Sequence, residues 1–199
     1  MAHIDYYLSV LSPFHYLAGP RFREVVARHG AEVTFKPLDI MALFDRTGGV
    51  RPAERHPSRQ AYRKQDLRRQ ASKSGLPINI QPAHWPTNAA PASYAIIAAQ
   101  SAGGGDLFGL VHAISHACWV EDKDIAEDDV IKAALEQTGF DPGLAFSGML
   151  AGAEIYSRNL EDAVEAGVFG APFWVVDGAE HFWGQDRVED LDLFLSGKL

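Results

Sequence analysis

Apolar and polar positions in this 199-residue chain change period several times, and each change marks an element. Residues 3–9 (HIDYYLS) alternate and carry Tyr6 and Tyr7, the pattern of a half-buried β-strand. From Ser12 to His29 the spacing becomes helical. Phe14, Leu17, Ala18, Phe22, Val25 and Val26 recur on one face, and Gly30 closes the run. The stretch AEVTFKPLDI (31–40) reads as a second strand. A helix joining two strands over about 35 residues is a βαβ unit, which implies parallel strands and a right-handed crossover.

The middle of the chain has a different character. TGGVRPAERHP is loop, punctuated by Pro52 and Pro57, and SRQAYRKQDLRRQASKSG is an exposed amphipathic helix ending at Gly75. LPINIQPAHWP is extended and broken by proline, and helical patterns then follow over 89–102, 105–119, 127–138 and 145–166. Strand signals return at GVFGAPFWVVDG: residues 173–176 form a short buried strand, and Gly178 marks a hairpin turn into EHFW. WGQDRVEDLDLFLSGKL is a closing helix. The order predicts an α/β fold with a thioredoxin-like core, residues 1–42 plus 167–199, interrupted by an all-helical insertion over 43–166.

Composition narrows the function. Lys and Arg number 18 against 26 Asp and Glu, a formal charge of −8, so a nucleic-acid partner is not expected. The basic stretch from Arg51 to Arg69 has acids and polar residues interleaved at helical spacing and reads as a solvated face. No window approaches the roughly 20 apolar residues of a membrane span. MAHIDYYLSV lacks the basic and apolar regions of an export signal, and the single cysteine, Cys118, cannot form an internal disulfide. A cytoplasmic location is the expectation. His112 and His116 share a helix face, but Cys118 points elsewhere and no fourth ligand presents itself, so no metal site is expected. Cys118 reads as a buried, inert thiol, and SAGGGD as a turn, since a phosphate loop needs a lysine and a preceding strand.

One junction asks for chemistry. In LSVLSPFHYLAG an apolar strand runs into Ser12-Pro13 at a helix start. Ser12 is a good N-cap and Pro13 a good first helical residue. The same position gathers free N–H groups and about half a positive charge, so an oxygen held there faces an anion site.

LSPFHYLA (11–18), GVFGAPFWVV (167–176) and FWGQDRVEDL (182–191), together with AIIAAQ and ACWVEDKDI between them, carry a resemblance over nearly the full length. The chain resembles the 2-hydroxychromene-2-carboxylate isomerases and the related kappa-class glutathione transferases, which share a DsbA-like core. Thioredoxin-fold oxidoreductases open this helix with Cys-x-x-Cys, where this chain has Ser12-Pro13-Phe14-His15. Disulfide exchange needs an attacking thiolate, which neither end supplies, so dithiol chemistry is excluded.

The resemblance implies that Ser12 donates to the thiolate of bound glutathione and lowers its pKa. It implies a cis bond between Ala171 and Pro172, with the Ala171 N–H and C=O left free to pair with the cysteinyl part of glutathione. Trp183, Gly184, Gln185 and Asp186 would hold the γ-glutamyl end, with Gln185 standing where the isomerases tend to have Asn. Read without the resemblance, DRVE is equally a capping box, with Asp186 as cap and Glu189 reaching back.

A second, small aromatic substrate would meet Phe44, Glu54, Arg55 and Trp85 by position. Arg55 matches the isomerases and could clamp a carboxylate; Trp85 replaces a tyrosine and keeps a stacking face. Phe44 stands where a lysine is expected and Glu54 where an asparagine is, changes expected to weaken binding of a carboxylated aromatic substrate. His15, where a small residue is usual, either moves a proton near the thiol or lines the pocket. The implied function is a glutathione-dependent cis/trans isomerase with no metal, and a homodimer is possible. A kappa-like transferase and a non-catalytic glutathione- or peptide-binding module stay open as alternatives.

Overall fold

The sheet is made by the two ends of the chain. The computed structural model describes residues 1–199. Strands β1 (His3–Leu8), β2 (Glu32–Pro37), β3 (Phe173–Val176) and β4 (Glu180–Trp183) lie in the order β2-β1-β3-β4. β1 runs parallel to β2, as the βαβ reading requires, and β3 pairs antiparallel with both β1 and β4. Helix α1 (Pro13–His29) makes the crossover.

Period-two alternation sorts the strand residues between two apolar layers. Ile4, Tyr6, Leu8, Phe35, Trp174 and Val176 belong to the larger core, which also takes in Phe22 of α1 and residues from most of the helices. Tyr7, Phe173 and Val175 face the other way, into a smaller cluster with Leu43 and Ala163. Tyr6 stacks on Trp174 with centroids 5.6 Å apart and packs at 4.7 Å against Phe22.

Between the two halves of the sheet run α2 (Ile40–Thr47), α3 (Pro57–Ser74), α4 (Ala90–Ala102), α5 (Leu107–Trp119), α6 (Asp128–Gln137), α7 (Leu144–Ser147) and α8 (Met149–Glu165); α9 (Val188–Leu195) closes the chain. The large core is continuous through Leu67, Ile96 and Ile114 of these helices. No helix is long and apolar enough to cross a membrane.

The elements depart from the sequence reading in three places. The second strand stops at Pro37 rather than Ile40, because the Asp39 carboxylate accepts from the N–H groups of Met41 and Ala42 and starts α2; Gly48, at φ 78°, ends it. The single helix expected over 145–166 is broken at Gly148, where a β-carbon would lie 2.3 Å from that of Ala98 on α4. The capping box at DRVE does not form. Residues Gln185–Arg187 make a 3₁₀ turn before α9, and the Asp186 carboxylate pairs with the Arg187 guanidinium at 3.1 Å instead of capping.

Candidate functional site

Ser12 caps α1 in an extended conformation (φ −88°, ψ 117°), and its Oγ accepts from the His15 N–H at 3.3 Å. The same hydroxyl donates to the Ala171 carbonyl at 3.1 Å. The Ala171–Pro172 bond is cis. The expectation that both backbone groups of Ala171 are free is thereby corrected. Its C=O is taken by Ser12, which lies directly against it, while its N–H and that of Phe14 have no partner within the chain.

These groups open into a cleft of about 1030 Å³. One wall is the turn after β4. Gly184 sits at φ 103°, with its N–H on the Pro172 carbonyl at 3.0 Å, and a β-carbon there would come within 2.7 Å of the Asp186 carboxylate. A side chain at 184 would therefore crowd the Asp186 carboxylate and strain the backbone. Gln185 is buried, and its carbonyl accepts from Arg21 of α1 at 2.7 Å. Trp183 is 53% exposed and meets Phe169 edge-on with centroids 4.8 Å apart. Ser12, Ala171, Trp183, Gly184, Gln185 and Asp186 thus line one continuous space, with Pro172 directly behind it.

The opposite wall comes from α2, α3 and the loops around them. Phe44 packs so closely under Gly49 that a β-carbon on that glycine would fall 2.4 Å from the ring. The Arg55 guanidinium lies 5.8 Å from the Phe44 centroid and its Nε donates to the Val50 carbonyl at 2.9 Å. Trp85 donates from Nε1 to the carbonyl of Leu11 at 2.9 Å, which ties this wall to the residue before Ser12. Phe44, Arg55 and Trp85 all line the cleft.

Glu54 does not line it. The 3₁₀ turn Pro52–Glu54, closed by the Glu54 N–H on the Arg51 carbonyl at 3.0 Å, carries Glu54 to the surface while Arg55 turns inward. The anion expected to oppose a carboxylated substrate is thus outside the cleft.

Besides Arg187, which pairs with Asp186 and Asp190, two cations missing from the sequence reading are inside it. Arg59 and Arg63 follow Arg55 at four-residue intervals, and both line the cleft. The Arg63 guanidinium lies 5.1 Å from the Trp85 centroid. Burial first, and the charge of Arg55 second, pull its pKa down to about 10, so it is still cationic at neutral pH. The i, i+4 repeat was visible in the sequence; that one side of α3 faces a cleft rather than water was not.

His15 is in neither expected place. It is 1% exposed, points into the core, and shares a 2.5 Å hydrogen bond between Nδ1 and the Tyr6 hydroxyl. Burial, with a smaller effect from His112, lowers its pKa to about 3, so it is neutral and far from titrating near pH 7. His112 stacks on Tyr16 at 5.2 Å and His116 faces Glu121 at 3.2 Å. Cys118 is buried, and burial together with Asp124 and Asp122 pushes its thiol up to about 12.

A β2-β1-β3-β4 sheet, a capped first helix and a cis-proline turn meeting at one cleft define a thioredoxin-like protein with serine in the place of the reactive cysteine. The family model for DSBA-like thioredoxin domains matches residues 3–196. The chain is 30% identical over 191 residues to a 2-hydroxychromene-2-carboxylate isomerase of Pseudomonas putida, covering 93% of this chain and 90% of that one. It is 28% identical over 195 residues to the enzyme of that name from Sphingobium xenophagum, covering 96% and 97%. A solved 2-hydroxychromene-2-carboxylate isomerase superposes with a TM-score of 0.80 at 24% identity, over 98% of this chain and 95% of that one. The cytosolic disulfide reductase DsbM from Pseudomonas aeruginosa, solved with GSH, superposes with a TM-score of 0.73 at 16% identity, over 98% of both chains. The chain belongs to the DSBA-like thioredoxin-domain family and, within it, to the 2-hydroxychromene-2-carboxylate isomerases.

Proposed function

We propose that this protein is a glutathione-dependent cis/trans isomerase acting on a small aromatic substrate with a conjugated double bond. The observation that carries the reading is the Ser12 hydroxyl at the N-cap of α1, opening into the cleft opposite Ala171. The chain's own groups suit glutathione. Two unpartnered N–H groups, on Phe14 and Ala171, open into the cleft and could receive a thiolate and its peptide, and Gly184 leaves the Asp186 carboxylate uncrowded beside them.

Held there by Ser12, Ala171 and the Gly184–Asp186 turn, glutathione would supply a nucleophilic thiolate for reversible addition to the double bond. The protein's part is electrostatic. The helix N-terminus and its free N–H groups favour the anion. Ser12 exchanges its hydrogen bond to the Ala171 carbonyl for one to sulfur, and so holds the thiol deprotonated at neutral pH. The Ala171 N–H and the Gly184–Asp186 turn fix the peptide around it, and Trp85 and Phe44 offer apolar ring edges to the substrate. A reducing compartment such as the cytoplasm keeps glutathione in the thiol form this requires.

Thiolate absorbance near 240 nm, followed across pH with protein and glutathione together, tests the reading. The expected result is a bound-thiol pKa well below that of free glutathione. In Ser12→Ala the pKa rises and turnover slows by about 10²-fold, the usual cost of losing a positioned donor. Glutathione that binds with an unperturbed pKa, or does not bind, overturns it.

A further inference from the structure

The cleft holds a charge problem that the thiol site does not use. Arg55 and Arg63 both line it, and neither has a carboxylate within ion-pair distance, although the chain has a formal charge of −8 and pairs Arg23, Arg28, Arg46, Arg51, Arg158 and Arg187 with acids. Each is held by an aromatic ring instead, Arg55 over Phe44 at 5.8 Å and Arg63 over Trp85 at 5.1 Å. An aromatic face supports a guanidinium without occupying the edge that carries its N–H donors. Arg55 spends only its Nε, on the Val50 carbonyl, and Arg63 makes no hydrogen bond within the chain. Asp66, one turn on from Arg63, accepts from Gln70 at 3.2 Å and does not pair with it.

Two desolvated like charges without counter-ions are costly unless an anion joins them. Their neighbourhood selects the kind of anion. Trp85 and Phe44 are apolar surfaces beside the guanidinium edges, and the Trp85 bond to the Leu11 carbonyl places this wall beside Ser12. A planar carboxylate attached to an aromatic body satisfies both requirements, since a carboxylate accepts two parallel N–H bonds from a guanidinium.

We propose that Arg63, with Arg55, is the carboxylate anchor for the second substrate, and that it supplies from α3 the cation that position 44 lacks. Arg63 is a specificity-determining residue that sets which substrate is held over the sulfur. The inference rests on the isomerase reading for what happens next, but the binding it predicts does not depend on that chemistry.

The test is isothermal titration with 2-naphthoate and with 2-naphthamide, its uncharged isostere, on protein saturated with S-methylglutathione and on protein alone. Wild type is expected to prefer the carboxylate by tenfold or more. Arg63→Gln abolishes the preference, Arg63→Lys keeps part of it because a point charge replaces the two-pronged donor, and Lys64→Gln, an equal charge change on the exposed side of α3, leaves it intact. Affinity for glutathione is unchanged in Arg63→Gln. Equal binding of the two probes to wild type, or a preference that survives Arg63→Gln, overturns the proposal. So does a loss in Arg63→Gln confined to glutathione affinity, which would assign the guanidinium to the glycyl carboxylate. Failure of glutathione to bind wild type while the naphthoate preference persists would overturn the isomerase reading and leave the anchor standing.

Discussion

Acid should unfold this protein through His15. The imidazole is 1% exposed, hydrogen-bonded to Tyr6, and surrounded by Phe22, Tyr16 and His112, with no carboxylate beside it. Its pKa falls from 6.5 to about 3 on folding, so above pH 6.5 both states hold it neutral and it costs nothing. As pH drops below 6.5 the unfolded chain takes up a proton that the folded chain refuses, and stability is lost until the pH passes the folded value. At 1.36 kcal/mol per pH decade the loss attributable to this residue is about 2 kcal/mol at pH 5, about 3 kcal/mol at pH 4 and about 5 kcal/mol well below pH 3. Other groups add to the acid limb, notably His112, whose pKa burial also lowers, and carboxylates such as Asp124 and Asp192, held low by their hydrogen bonds. A difference experiment removes them. His15→Asn keeps an acceptor near the Nδ1 position for Tyr6 and cannot titrate; it should cost about 1–3 kcal/mol at pH 8 through lost packing. Urea midpoints for wild type and variant, followed by tryptophan fluorescence from pH 8 to 4, should then converge as pH falls. With a denaturant slope of about 2 kcal/mol/M, the gap closes by about 1 M between pH 7.5 and pH 5. Two profiles that stay parallel from pH 7 to pH 4 would refute the argument.

Ser12→Ala removes the cap bond to the His15 N–H and should cost about 1 kcal/mol, a fall of about 2–4 °C in Tm by calorimetry, separable from its effect on the thiol. Gly184→Ala places a β-carbon 2.7 Å from Asp186 at φ 103° and should weaken glutathione binding by tenfold or more in titration calorimetry. Arg21→Met frees the Gln185 carbonyl and loosens the same turn from behind; steady-state kinetics should show a raised KM for glutathione with kcat nearly unchanged. Glu54→Gln should leave the affinity for 2-naphthoate unaltered, because the side chain lies outside the cleft.

Local signals account for what was legible along the chain. β1, α1, β2 and the terminal hairpin follow from alternation, from the Ser12 cap and from glycines at 30 and 178, all properties of a few adjacent residues. The helix α2 was also locally signalled, by Asp39 and Gly48, but the strand-like run VTFKPLDI hid the change of period at Pro37. The break at Gly148 was not readable at all, and the need for glycine there answers to Ala98, fifty residues away. His15 shows the same limit in chemistry. Its place in the tetrapeptide after Ser12 suggested the pocket, yet one turn of a helix separates the cap from the buried face, and Tyr6 lies on that face. Arg63 is the reverse case: a charge in an apparently solvated stripe lines a cleft, with the Trp85 ring against its guanidinium.

That last pair explains how the two halves of the site can change independently. The wall at the start of α1 is built from the Ser12 hydroxyl and from backbone, namely the N-terminus of α1, the Ala171 turn and the loop at Gly184, so apart from Ser12 its donors persist whatever side chains surround them. The facing wall is built from side chains on α2, α3 and the Trp85 loop, and a cation there need only reach the same space, from whichever position. A lysine projecting from position 44 and an arginine projecting from position 63 can answer the same carboxylate, because electrostatic attraction constrains the charge and its distance and leaves the point of attachment free. Substitutions on α3 should therefore alter which molecule is held, and substitutions at the start of α1 should alter how readily the sulfur reacts with it.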